Sequence, residues 1–259
     1  MQRRQFVQQL GAGFIATLGL GVASTWQRTH AQTGGVNVRW LGHTCFVFEG
    51  DGRRILVNPF RTLGCAAGYA VPIVPADVIL ISSRLFDEGG TLEGFPGDPP
   101  ILAEAGEFEL SPIRMQSVET DHDRRGGRQF GKNLIWRWEQ GGLTIVHMGG
   151  AAAPVALEEQ ILLGRPDILC VPVGGGPKAY NADEAVAAIR ALNPRIIIPT
   201  HYRTQAANEE CDIEGLQPFL DLLPTTPTRQ ANSDSVTLST ASLPGGDGMI
   251  IQLLTYSFS

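Results

Sequence analysis

Histidine and cysteine are both scarce, with five and four residues in a chain of 259. The cysteines, Cys45, Cys65, Cys170 and Cys211, contain no closely spaced pair, which argues against a structural zinc knuckle. Cys45 and Cys170 lie in apolar strand patterns and read as small core residues. Cys65 and Cys211 lie in loops and can pair in an oxidising compartment. Spacing alone leaves all three pairings of four cysteines open. Positive charge is also short. The formal net charge of −6 becomes −9 without the first 31 residues, which carry Arg3, Arg4 and Arg28 and no acid. An acidic surface argues against nucleic acid and anionic membrane as partners. The glycine run Val173–Lys178 lacks P-loop spacing, and no serine elbow surrounds Ser82 or Ser83. The expected partner is a small-molecule substrate or another protein.

The first residues read as a targeting segment. Arg3-Arg4-Gln5-Phe6-Val7 is a twin-arginine pattern. Leu10–Val22 is apolar but too short to span a bilayer comfortably. Thr29-His30-Ala31 suits signal cleavage after Ala31. The expectation is export by the twin-arginine route to a periplasm or thylakoid lumen. That leaves residues 32–259 as one domain, long enough to bury a full core. No later apolar run is long enough to cross a membrane, so no stable membrane insertion is expected after cleavage.

The remaining chain divides into a strand-rich half and a half in which helices and strands alternate. Val36–Leu41, Cys45–Glu49 and Arg54–Val57 predict strands, with Gly50-Asp51-Gly52 as a hairpin turn. Ala76–Ser82 is a continuous apolar run, as in a strand buried on both faces. Pro112–Val118 predicts another strand, and Asn133–Glu139 pairs with Leu143–His147 across Gln140-Gly141-Gly142. Gly89–Pro100 reads as a surface loop. In the second half, Pro154 opens a predicted helix to Leu163, and Asp167–Val173 is a strand. Asn181 caps a helix through Leu192, and Arg195–Pro199 is a strand. Ile213–Leu223 predicts a helix, and Ser235–Thr240 and Met249–Thr255 are closing strands. Strands first and strand–helix units later suggest an α/β helix–sheet–sheet–helix sandwich.

His43, His122, His147 and His201 each end or follow a strand pattern, where loops build sites. "ISSRLFDEGG" (81–90) follows the apolar strand and ends in glycine. At these residues the chain resembles the metallo-β-lactamase fold, an αββα four-layer sandwich. Within it, the chain is similar to the metal-dependent hydrolase subgroup that includes ascorbate-phosphate lactonases. The resemblance covers nearly all of residues 32–259. It rests on "RWLGHTCFVFEGDGRRILVNPF", "HDRRGGRQFGKN", "GGLTIVHMGG", "PDILCVPVGGG" and "NADEAVAAIRALNPRIIIPTHY".

The resemblance implies one or two metal ions, usually zinc. The expected ligands are an H-x-H-x-D-H loop, a central histidine, a bridging aspartate after the hairpin strand, and a final histidine. Here the loop positions hold Ser83, Leu85, Asp87 and Glu88, the bridging position is Gly150, and the two histidines are His122 and His201. Candidate ligands are therefore Asp87, Glu88, His122 and His201, with Asp87 and His122 as candidate catalytic residues. His43 and His147 match family positions and read as structural residues or supports of the ligands. Asp121 and Asp123 either orient His122 or make a turn. Two readings stay open. One is a non-catalytic binding or scaffold protein, a pseudoenzyme without metal. The other is a mononuclear hydrolase of a small ester, lactone or phosphoester that holds one zinc, iron or manganese ion.

Overall fold

The computed structural model describes residues 34–91 and 93–258. The predicted signal peptide, residues 1–31, lies outside them. The strands in chain order are β1 Val36–Gly42, β2 Cys45–Gly50, β3 Arg53–Val57, β4 Val78–Leu80, β5 Ile101–Leu102, β6 Gly106–Leu110 and β7 Ile113–Asp121. There follow β8 Lys132–Gln140, β9 Leu143–His147, β10 Ile168–Pro172, β11 Ile196–Thr200, β12 Thr228–Gln230, β13 Ser235–Leu238 and β14 Ile250–Leu253. The helices are α1 Phe86–Gly89, α2 Leu157–Leu163, α3 Ala182–Leu192 and α4 Gln217–Asp221.

Two mixed sheets form, with strand orders β13-β1-β2-β3-β4-β5 and β12-β14-β11-β10-β9-β8-β7-β6. The side-chain period of two divides each central strand between two cores. In β10, Ile168 and Cys170 join Phe46, Phe48, Trp136 and Trp138 between the sheets. Leu169 and Val171 face outward, in the cluster that contains Ala185, Val186 and Ile189 of α3 and Phe219 of α4. A strand covered on both faces explains the unbroken apolar runs in the sequence. Asn181 caps α3 as predicted, accepting from the Glu184 N–H at 2.9 Å while the Glu184 carboxylate accepts from the Asn181 N–H at 2.9 Å.

Several elements differ from their predicted bounds. α2 starts at Leu157, not Pro154, because the Ala156 N–H is capped by the Glu159 carboxylate. α4 is shorter than Ile213–Leu223. Glu214 is committed elsewhere: its N–H donates to Gly174 O at 2.8 Å and its carbonyl accepts from Arg203 N–H at 2.7 Å. Backbone groups bonded to neighbouring loops cannot also close helical turns. The short β5, β6 and β12 were not predicted. β6 alternates exposed glutamates with half-buried residues against β7, a pattern too polar to read as a core strand. Cys65 and Cys211 are joined in a disulfide, and Cys45 and Cys170 are free and buried.

Candidate metal centre

The strand ends bring the histidines together. His43 follows β1, Ser83–Glu88 follows β4, His122 follows β7, His147 ends β9, Lys178 lies between β10 and α3, and His201 follows β11. The turn into His43 needs glycine. Gly42 has φ +112°, and a Cβ there would lie 2.5 Å from the Tyr69 ring. His43 and His201 themselves both have φ +50°, the left-handed region that non-glycine residues seldom occupy. Their rings stand 4.4 Å apart between centroids. Two strained backbones side by side in one buried cluster point to a functional site.

Asp87 Oδ2 is the centre of that cluster. His43 Nε2 lies 3.5 Å from it and His201 Nε2 3.9 Å, and the Lys178 ammonium contacts the same oxygen. One donor atom from each of His43, Asp87 and His201 lies within 4.8 Å of the others. Burial would raise the Asp87 carboxyl, but His201, His43 and Lys178 outweigh it and hold the group well below the usual carboxylate range. Burial, helped by neighbouring His43, pushes His201 down to about 4 against the pull of Asp87. His201 is therefore a neutral imidazole at neutral pH.

Glu88 and His122 form a second buried pair. The His122 ring donates through Nε2 to Glu88 Oε2 at 3.0 Å and through Nδ1 to Lys178 O at 2.8 Å. Ser83 Oγ donates to the same Glu88 oxygen at 2.9 Å. A ring that donates at both nitrogens is an imidazolium. Burial opposes both charges, but the pair wins. His122 is raised above its ordinary value by Glu88, and Glu88 is lowered to about 2 by His122. Asp87 and Glu88, adjacent in the sequence, thus serve different neighbours.

The remaining candidates have local roles. His147 donates from Nε2 to Thr44 O at 3.0 Å and accepts the Gly149 N–H at Nδ1, 3.1 Å. It is buried, pushed down to about 4 by burial, and ties the two sheets together. Asp123 makes a turn rather than orienting His122. Its carboxylate accepts the N–H groups of Arg125, Gly127, Gln129 and Phe130 at 2.7–3.0 Å. Those bonds lower it to about 2. Asp121 pairs with Lys132 at 2.8 Å.

The comparisons with known proteins bear on this edge of the sandwich. The beta-lactamase superfamily domain matches residues 37–201, from β1 to the final histidine. The chain belongs to the β-lactamase superfamily. Its relatives include a metal-dependent hydrolase of Thermococcus onnurineus, 29% identical over an alignment of 197 positions that covers 65% of this chain and 85% of that protein. A metallo-β-lactamase superfamily protein of Thermotoga maritima has the same fold. Its TM-score is 0.65 at 23% identity, covering 86% of this chain and all of that one. A metallo hydrolase of Ignicoccus hospitalis superposes with a TM-score of 0.53 at 17% identity, covering 79% and 99% of the two chains. The two-sheet sandwich read from the sequence is thus the β-lactamase superfamily fold.

Residues 88 and 150 are coupled in space. A Cβ on Gly150 would lie 2.0 Å from Glu88 Oε1 and 2.3 Å from the His122 ring. The Glu88 side chain therefore fills the space that a side chain at position 150 would need. Gly150→Ala is expected to cost about 1–3 kcal/mol of stability through overpacking. The cost should shrink in a Glu88→Ala background, as a double-mutant cycle by chemical denaturation would reveal. An additive cycle would disprove the coupling.

Two residues of the site were not singled out as ligands in the sequence. His43 was visible as a Gly-His turn, but only distances assign it to Asp87. Lys178 left no signal beyond its position after a glycine run.

Proposed function

We propose that the protein is an exported hydrolase of the β-lactamase superfamily that uses one divalent ion held by His43, Asp87 and His201. The observation that carries this reading is one unpartnered atom at the cluster. His43 Nε2, which faces Asp87 Oδ2 at 3.5 Å, is buried without a hydrogen-bond partner, although buried polar groups are normally satisfied. The donor set fits an ion. Ligands about 2.1 Å from a tetrahedral ion stand about 3.4 Å apart, close to the spacing of His43 and His201 from Asp87. Two imidazoles and one carboxylate suit zinc, iron or manganese. A second ion has far less to bind, since both His122 nitrogens are engaged and residue 150 carries no donor.

When bound, such an ion supplies an acidified water and a polarised carbonyl or phosphoryl group. Neutral His201 can offer its lone pair, and ionised Asp87 its charge, without first losing a proton. Glu88 and His122 do not move protons in this reading, because each is the other's counter-ion. The substrate class proposed is a small ester, lactone or phosphoester, whose carbonyl or phosphoryl oxygen such an ion would polarise.

Zinc, manganese or ferrous iron at about a hundredfold excess over its Kd should stabilise the folded chain by about 2.7 kcal/mol. For a domain of this size that is about 5–10 °C in Tm. His43→Ala and His201→Ala should each abolish the shift. A Tm indifferent to all three ions would sink the reading. It would favour the alternative of a non-catalytic binding protein, which draws its support from Lys178 and His122 already neutralising both carboxylates. The exported location is supported by the Arg3-Arg4 pattern and by the Cys65–Cys211 bond, since disulfides persist in oxidising compartments.

A further inference from the structure

We propose that Lys178 is a tethered cation that neutralises Asp87, the carboxylate of the ion subsite, when no metal is bound, so that metal loading requires its displacement. The inference rests on the single-ion reading above and concerns how that site is kept. Lys178 Nζ contacts Asp87 Oδ2, the oxygen that His43 and His201 face at 3.5 and 3.9 Å. A metal ion on Asp87 Oδ2 would meet the Lys178 ammonium on the same oxygen, where like charges repel. The residue type matters. Lys178 is one of two lysines in a chain that otherwise uses arginine, and an ammonium is a compact point charge whereas a guanidinium is a broad plane.

The backbone carrying Lys178 is fixed, which leaves the side chain as the part that moves. Gly174 N–H donates to His201 O at 2.9 Å, and Gly175 N–H donates to Tyr180 O at 2.8 Å. Arg124 donates to Gly176 O at 3.0 Å and to Ala179 O at 2.9 Å. Lys178 O itself receives the His122 ring. The Lys178 side chain keeps 19% of its exposure, so its flexible stem has a route to solvent while its carbonyl stays in place. One residue thus serves both carboxylate pairs, His122–Glu88 through its carbonyl and Asp87 through its ammonium. Removing the ammonium leaves the carbonyl's role untouched, and this separates the two functions experimentally.

A site open only part of the time binds with its affinity reduced by the open fraction. The test measures the zinc Kd of the full chain by competition with a chromophoric chelator, together with the Tm of the metal-free protein. Lys178→Met should bind zinc roughly tenfold tighter or more and melt lower than wild type without metal, with zinc restoring the loss. Lys178→Gln, a polar neutral change, should tighten zinc in the same direction if the Met variant folds poorly. An unchanged Kd in variants that still lose zinc on His201→Ala would overturn the Lys178 proposal and leave the ion subsite standing. Weaker binding would also overturn it, since Lys178 would then support the ion. No zinc binding by wild type or by either variant would overturn both readings together.

Discussion

His122→Ala is expected to destabilise the protein by about 3–5 kcal/mol, because it strands a buried carboxylate. Both side chains of the His122–Glu88 pair are fully inaccessible. Without the imidazolium, Glu88 Oε2 would keep only the Ser83 hydroxyl, and Oε1 already lacks a partner. Glu88→Gln should cost much less. Neutral His122 would keep its Nδ1–H on Lys178 O and accept at Nε2 from the new amide, so no buried charge is left unpaired.

The pH dependence follows from the two shifts. Glu88 falls from an ordinary 4.5 to about 2 in the folded chain, so its contribution is present above about pH 4.5 and lost as pH falls toward 2. His122 is raised above 6.5, so its contribution is present below about pH 6.5 and lost as pH rises through the folded value. The stability gap between wild type and His122→Ala should therefore be widest between about pH 4.5 and 6.5 and narrow on both sides. Urea unfolding across that range measures it. A gap that does not vary with pH would show that the pair is not ionised.

Reduction of Cys65–Cys211 is expected to cost about 3–5 kcal/mol, since the bond closes a loop with a sequence separation of 146 and the entropy removed from the unfolded chain grows with loop length. The reductant has a single target among the described residues, because Cys45 and Cys170 are free, buried and raised by burial. The segment after His201 has other ties. Gly68 N–H donates to Ala206 O at 2.8 Å, Asn208 N–H donates to Gly64 O at 3.1 Å, and Tyr69 meets Thr204 at 2.7 Å. Reduction should therefore lower global stability while leaving the metal affinity of the proposed site at His43, Asp87 and His201 nearly unchanged. Guanidinium unfolding with and without reductant, beside a zinc titration of the reduced protein, checks both halves. A loss below about 1 kcal/mol would mean that the reduced chain keeps its unfolded ensemble as compact as the oxidised one.

Most strands were legible because their side chains answer to a local rule. β1, β2, β8 and β9 alternate or run apolar according to which faces they bury, and β10 and β11 are unbroken because both faces are covered. α3 was legible from Asn181 and its first-turn acids. β5, β6, β12 and the true extent of α4 were not. Their bounds depend on which distant backbone groups compete for their hydrogen bonds, as Gly174 does for Glu214.

The same division holds at the site. Residue order by itself determined that histidines and acids gather at strand ends. Only the tertiary structure decided how the surviving donors group. Asp87 and Glu88 sit on one short helical turn, where successive residues rotate by about 100°, so the two carboxylates meet different partners. His43, Lys178 and His201 reach Asp87 from loops far apart in the chain. Their meeting depends on how the two sheets stack, a distance that no local pattern encodes.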